Sequence, residues 1–231
     1  LYDPETKQIL GIGIVGTNSE DKESLKIYAD GCIINQPNDF YSSWRAKNDL
    51  NSFFIENNIP CIFGIDTRYI TKKLAEEGAK KAALINFGED DSSLETLKNE
   101  ISNWSGLENL DLAKIVSTNE VYNWNKGTAW SKRKGFEDKN EYRVTCLDFG
   151  IKHNILKNLH EFKLKPTVLN LSSNFDEIME TKPDGIFLSN GPGDPFATGE
   201  KIVKTLKKLI DSEIPIFGIC LGHQILSLAL N

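Results

Sequence analysis

A single cysteine held between two glycines, in the run Pro215-Ile216-Phe217-Gly218-Ile219-Cys220-Leu221-Gly222-His223-Gln224, limits the architectures open to this chain more than any other stretch. A short apolar run that stops at such a residue and passes at once into a helix reads as a nucleophile elbow. There the turn residue takes a strained backbone conformation and its side chain is pushed out of the sheet edge. Glycines two places before and after let the flanking backbone pass where a Cβ would collide. Cys220 then opens a helix expected over Leu221 to Leu230, whose unpaired N–H groups and macrodipole favour the thiolate, the form that attacks carbonyls. A core cysteine beside a strand is the plainer reading. At a glycine frequency of about 7%, both glycines flank a given cysteine by chance roughly once in two hundred, so the spacing favours the elbow and the rest of the chain decides it.

An elbow needs a parallel sheet, and the carboxyl-terminal part has the pattern of one. From Arg143 onward, apolar strands alternate with helices at βαβ spacing. Strands are expected at Arg143 to Phe149, Pro166 to Leu171, Gly185 to Ser189 and Pro215 to Ile219, with helices at His153 to Glu161, Phe175 to Thr181 and Glu200 to Ile210. The strands are continuously apolar rather than alternating, which means cover on both faces: a doubly wound, mostly parallel α/β sheet. Such sheets bind ligands beyond the carboxyl ends of their strands. Phe149-Gly150-Ile151-Lys152, Asn190-Gly191-Pro192-Gly193-Asp194-Pro195 and the Cys220 elbow all fall at those ends. The middle segment has the composition of a plain turn. Beside an elbow, its glycines would also let backbone approach a ligand and aim an N–H at a developing oxyanion, with the N–H of Leu221 as second donor.

Upstream, residues 1–130 read as a mixed α/β domain, 131–142 as a charged linker or a hairpin over it, and 143–231 as the first part of the sheet domain. In the first domain, Gln8 to Val15 could be a strand, Ala29-Asp30-Gly31 a turn before a strand at Cys32, and Asp49 to Ile55 a helix. Ile59 to Ile65 reads as a buried strand, Tyr69 to Glu77 as a helix closed by Gly78, Ala82 to Asn86 as a strand and Ser92 to Ile101 as a helix capped by Asp91 or Ser92. Gly106 to Lys114 reads as compact but irregular.

Composition narrows the function classes. The 231 residues carry a net charge of −6 and no basic stripe, which argues against a nucleic-acid partner. The longest apolar runs, Ile214 to Leu221 and Cys61 to Ile65, are too short for a helical membrane span. Cys32, Cys61, Cys146 and Cys220 fall at wide, irregular spacings without a metal-ligand pattern, as expected of reduced thiols in a cytoplasmic setting. The opening Leu1-Tyr2-Asp3-Pro4 has no initiator methionine, which suggests a missing start and leaves a targeting segment open.

Leu188-Ser189-Asn190-Gly191-Pro192-Gly193-Asp194-Pro195, followed by Gly218-Ile219-Cys220-Leu221-Gly222-His223-Gln224, resembles the class I (triad) glutamine amidotransferases. More narrowly, Leu147-Asp148-Phe149-Gly150-Ile151-Lys152-His153-Asn154-Ile155-Leu156 is similar to the opening of the glutaminase domain in the small subunit of carbamoyl phosphate synthetase. Val15-Gly16-Thr17-Asn18, Ile65-Asp66-Thr67-Arg68, Asp111-Leu112-Ala113 and Val116-Ser117-Thr118 resemble that subunit's own first domain. The resemblance implies hydrolysis of the glutamine side-chain amide through a cysteine thioester, with ammonia passed to a synthetase large subunit or fused synthetase domain. That partner makes carbamoyl phosphate from bicarbonate and ATP for pyrimidine or arginine biosynthesis, and it would hold the ATP and a divalent metal; no cofactor is expected in this chain. The resemblance makes Cys220 the nucleophile, has Gly191 and Leu221 supply oxyanion-hole N–H groups, and has Gly193 and Gln224 hold the substrate glutamine.

Two departures stand out. The family's base and orienting acid form a His-x-Glu pair several tens of residues after the nucleophile, and the sequence runs only to Asn231, so these residues by themselves are expected to be inactive or nearly so. His153, His160 and His223 are not read as substitutes for that base. Near the start, the family's Asp-Pro-Ser is replaced by Asp3-Pro4-Glu5, and Glu5 is not assigned to the site. Two other readings remain open: another class I amidotransferase or γ-glutamyl cysteine hydrolase, and a non-catalytic interaction or regulatory module.

Overall fold

The computed structural model describes residues 17, 22–24, 27–36, 43–84, 93–106, 110–128 and 142–231, which fall into two compact units divided between Gly106 and Leu107. The readings placed on Gln8 to Val15, Asp3-Pro4-Glu5, Asn86, the Asp91 or Ser92 cap and 131–141 lie outside the described residues.

In unit 1 the chain makes a two-residue strand β1 (Cys32–Ile33), helix α1 (Leu50–Glu56), strand β2 (Cys61–Ile62), helix α2 (Thr67–Glu77) and helix α3 (Ser93–Asn103). Strands β1 and β2 pair in parallel, Cys32 with Cys61 and Ile33 with Ile62. Side chains at the helix starts satisfy backbone donors that no helix can satisfy internally. Asp49 accepts from the Ser52 N–H at 2.8 Å, and Asp66 from the Tyr69 N–H at 2.9 Å, which starts α2 two residues before the expected Tyr69. The strand expected from Ile59 to Ile65 shrinks to Cys61–Ile62, and residues 82–84 of the Ala82 to Asn86 expectation form no strand.

Unit 2 takes in the chain from Leu107 onward. Helix α4 (Leu112–Val116) and strand β3 (Tyr122–Asn123) precede the βαβ run and belong to this unit. Strand β3 pairs antiparallel with β5 (Leu164–Asn170), Tyr122 opposite Val168, and Ala113 of α4 is fully buried in the core beneath the strand ends. The Gly106 to Lys114 stretch, expected to be irregular, thus ends in a helix whose N-cap Asp111 accepts from the Lys114 N–H.

The sheet continues with β4 (Tyr142–Asp148), β6 (Gly185–Leu188) and β7 (Ile216–Gly218), in the order β3-β5-β4-β6-β7, every pairing after the first being parallel. The crossover helices are α5 (His153–Glu161), α6 (Phe175–Glu180) and α7 (Pro195–Asp211), and α8 (Leu221–Leu230) follows β7. Helix α7 starts five residues before the expected Glu200 because Asp194 caps it, accepting from the Phe196 N–H at 2.9 Å, and Pro195 fits the first helical turn.

Both faces of the sheet are covered, as continuous apolar strands require. Val144, Cys146, Val168 and Phe187 pack with Leu156 of α5 on one face. Leu147, Leu169, Ile186 and Leu188 pack on the other with Ile178 of α6, Ile202, Leu206 and Leu209 of α7, and Ile225 and Ala229 of α8. The alternation along each strand sends neighbouring residues to opposite cores. Among the described residues, no helix is long and apolar enough to cross a membrane.

Candidate active site

The carboxyl ends of β4, β6 and β7 lie side by side. Leu147 pairs with Leu188 and Leu188 with Gly218, so the three segments singled out in the sequence leave neighbouring strands at one edge. Cys220 sits at the turn between β7 and α8 with φ 53° and ψ −114°, its side chain exposed. A positive φ on a residue with a Cβ is strained, and such strain persists only where the surroundings enforce it.

The surroundings here are backbone. A Cβ on Gly222 would run into the Leu188 carbonyl group, and one on Gly218 would come within 2.7 Å of Gly222 and His223 backbone atoms. The turn is pinned on both sides: Ile219 donates to the Leu188 carbonyl and Gly222 to the Ser189 carbonyl, each at 3.0 Å. Leu221, the first residue of α8, has no carbonyl in its own helix for its N–H to reach.

The Asn190 to Pro195 loop is fastened to its neighbours just as tightly. Gly191 lies so close to Phe149 that a Cβ there would overlap the Phe149 carbonyl. Asn190 bridges to the β4 loop, its Nδ2 donating to the Gly150 carbonyl at 3.0 Å and its Oδ1 accepting from the Lys152 N–H at 3.3 Å. Gly193, with φ 105°, packs on the backbone of Leu110 and Leu112 at the start of α4. Asp111 accepts from Thr198 Oγ1 at 3.1 Å and from Lys201 Nζ at 2.9 Å, tying the start of α4 to α7 beside that loop.

Two buried polar residues organise the edge, and neither was assigned a role from the sequence. Asp148, at the end of β4, accepts from the N–H groups of Gly150 at 2.8 Å, Ile151 at 2.7 Å and Thr118 at 2.7 Å. A buried carboxylate is tolerated only when bonded in this way. Ser189, fully buried, accepts from the Phe149 N–H at 2.9 Å and donates to the Asn190 carbonyl at 2.7 Å, while its own carbonyl receives the Gly222 N–H. Ser189 thus links all three strand ends. Its only sequence signal is a hydroxyl where an apolar strand meets a glycine loop.

Of the expected site residues, the fold brings Cys220, Leu221, Gly191 and Gly193 to this one edge, and Gln224 lies one turn along α8, exposed, its N–H donating to the Cys220 carbonyl at 3.0 Å. His223 is exposed on α8; His153 opens α5, its ring 5.0 Å from that of Trp124; His160 lies in the last turn of α5. A cavity of about 560 Å³ opens elsewhere, beside the end of β5, lined by residues such as Asn170, Ser173, Glu177 and Glu180. Among the described residues, no group of His, Cys, Asp and Glu is arranged to hold a metal ion.

A doubly wound sheet whose crossover into a helix strains a lone exposed cysteine between glycines is the architecture of a class I glutamine amidotransferase domain, and the family model described as "Glutamine amidotransferase class-I" matches residues 145–231. The model described as "Carbamoyl-phosphate synthase small chain, CPSase domain" matches residues 8–84. The carbamoyl phosphate synthase small chain of Zymomonas mobilis subsp. mobilis is 41% identical over 227 residues, covering 95% of this chain and 59% of its own length. Those of Brucella anthropi and Brucella ovis are each 44% identical over 226 residues, covering 95% of this chain and 55% of their own. The chain is thus similar along nearly its whole length to carbamoyl phosphate synthase small chains, and it spans a little over half the length of these relatives.

Proposed function

We propose that the chain is the glutaminase component of a glutamine-dependent carbamoyl phosphate synthase. In this reading Sγ of Cys220 attacks the side-chain carboxamide carbon of glutamine. The oxyanion that forms is met by the N–H groups of Gly191 and Leu221, while Gly193 and Gln224 hold the substrate. Collapse of the tetrahedral adduct expels ammonia and leaves a γ-glutamyl thioester, which water cleaves to glutamate. A donor of the oxyanion-hole kind is worth roughly 10²–10³ in rate, so the two backbone segments matter as much as the sulfur.

Ammonia passes to a synthetase large subunit or fused synthetase domain, which uses bicarbonate and ATP with a divalent metal to form carbamoyl phosphate for pyrimidine or arginine biosynthesis in the cytoplasm. Proton delivery to the departing ammonia needs a general base and acid. The three histidines of the chain are His153, His160 and His223, and none forms a His-x-Glu pair.

The observation that carries this reading is the positive φ at an exposed Cys220. Alkylation by a chloroketone analogue of glutamine tests it. Peptide mapping should place the label on Cys220, excess glutamine should protect it, and Cys220→Ser should abolish it. A label on Cys32, Cys61 or Cys146 with Cys220 spared would remove the assignment.

A further inference from the structure

Unit 1 holds two cysteines with no part in that chemistry. Cys32 and Cys61 face each other directly across the parallel β1–β2 pair, in a register held by three backbone hydrogen bonds. Cys32 donates to the Pro60 carbonyl, Ile34 to the Ile62 carbonyl and Gly64 to the Asn35 carbonyl, each at 2.9 Å. Paired residues on neighbouring strands project to the same face, and strands lie about 4.8 Å apart. That separation falls within the roughly 4.4–6.8 Å between Cα atoms that a disulfide spans.

The period of two sends Ile33 and Ile62 to the opposite face, 44% and 38% exposed, and both cysteines are half-buried. Partial burial and the adjacent Cys32 sulfur push the Cys61 thiol above its ordinary range. Cys146 is fully buried and Cys220 has no cysteine paired with it across a strand, so of the four free cysteines only these two are matched.

We propose that Cys32 and Cys61 form a redox pair, oxidised reversibly to a cross-strand disulfide by a low-molecular-weight disulfide of the glutathione type. The thiolate of Cys32 attacks the reagent, forming a mixed disulfide and releasing one thiolate. The Cys61 thiol then loses its proton and attacks the Cys32 sulfur, releasing the second thiol. Two electrons and two protons pass from the pair to the reagent, which is reduced to two thiols. The product joins positions 32 and 61 and ties β1 to β2 covalently.

The test incubates the native 231-residue chain with glutathione disulfide, blocks residual thiols by alkylation and maps the peptides. A linked Cys32–Cys61 peptide, two hydrogens lighter than the reduced pair and released by dithiothreitol, is the expected product. In Cys32→Ser, that species should vanish and Cys61 should appear as a mixed disulfide or alkylated thiol. The inference is overturned if the wild-type chain gives separate mixed disulfides at Cys32 and Cys61 with no link between them, or if both are recovered alkylated while Cys220 is oxidised. Because the mapping reads neither glutamine binding nor turnover, its failure leaves the glutaminase reading untouched, and the reverse also holds.

Discussion

The two units solve the same problem, fixing short strands and helices, by different physical means. In unit 2 the strands are buried on both faces, and residues such as Leu147, Leu188, Leu206 and Ile225 are fully withdrawn from water. In unit 1 no described residue is buried, and Trp44, Ile55, Phe63 and Tyr69 are exposed. What fixes unit 1 locally is hydrogen bonding at helix starts and across a two-residue ribbon. Non-directional burial dominates folding energetics, whereas caps contribute on the order of 1 kcal/mol each. The edge that carries Cys220 stands on the unit that has the core, as a strained turn must, because only an over-determined surrounding keeps a positive φ at Cys220 from relaxing.

The sharpest way to break this contrast is a matched pair of truncations. Leu206 is fully buried between α7 and the sheet, and Leu74 on α2 is 39% exposed. Leu206→Ala leaves a closed cavity and should cost about 2–5 kcal/mol in denaturant unfolding of unit 2. Leu74→Ala loses only part of a transfer contribution, leaves no closed void and gains helix propensity, so a change of about 1 kcal/mol or less is expected. Equal losses at the two positions would mean that unit 1 has a core as demanding as that of unit 2.

How much of this was legible in the sequence follows the same division. The strands β4, β5, β6 and β7 and helices α5 to α8 were readable because burial on both faces writes continuous apolar runs, and the elbow because Gly218, Cys220 and Gly222 carry a steric requirement at fixed spacing. Strand β3 was missed: two residues, Tyr122 and Asn123, carry no period, and their pairing rests on partners such as Thr167, whose Oγ1 donates to Asn123 Oδ1 at 2.8 Å. Helix α4 was missed for a related reason, since five residues cannot show helical periodicity and its position comes from burial of Ala113 and the ties of Asp111 to α7. The organising roles of Asp148 and Ser189 were invisible because Thr118 and Phe149, which donate to them, lie 30 and 40 residues away in the chain. In unit 1, α1 and α2 were readable from spacing and caps, while the Ile59 to Ile65 strand was overextended because apolar composition alone does not reveal that Ile62 and Phe63 stay exposed.

A smaller effect separates the units by where a loss is felt. Asp66 caps α2 in unit 1, and Asn174 caps α6 in unit 2 through a reciprocal arrangement in which Glu177 reaches back to the Asn174 N–H at 2.9 Å. Either change to alanine should cost about 1 kcal/mol. In Asp66→Ala, amide hydrogen exchange should rise within α2 alone, because little buried surface couples it to neighbours. In Asn174→Ala, the loss should spread to β5 and β6, since Ile178 of the same helix is fully buried in the core. Exchange confined to α6 would show that even the core unit opens piecemeal.

The smallest expected effect is acid-linked, and it too differs in kind between units. In unit 1 the Ser52 backbone N–H, helped by the Ser52 hydroxyl, holds the Asp49 carboxyl below its ordinary value of 3.8. In unit 2 the Arg143 side chain, with the Arg143 N–H, holds Asp184 down at about 2, through contacts of 3.1 Å from Nε, 3.0 Å from Nη2 and 2.8 Å from the backbone. A carboxyl depressed by folding contributes stability that is complete above its unfolded value and disappears as pH falls through the folded one. The Asp184 contribution should therefore be intact above about pH 4 and fade toward pH 2, and Asp184→Asn should flatten the stability curve in that window by lowering stability above about pH 4, at neutral pH included, a small loss because the pair is solvent-exposed and screened. Carboxyl-carbon NMR titration reads both groups at once. Since Arg143 and Asp184 join the starts of β4 and β6, at the opposite end from Cys220, protonating Asp184 should leave chloroketone labelling of Cys220 unaltered, whereas a parallel fall in labelling would mean that the two ends of the sheet do not hold independently.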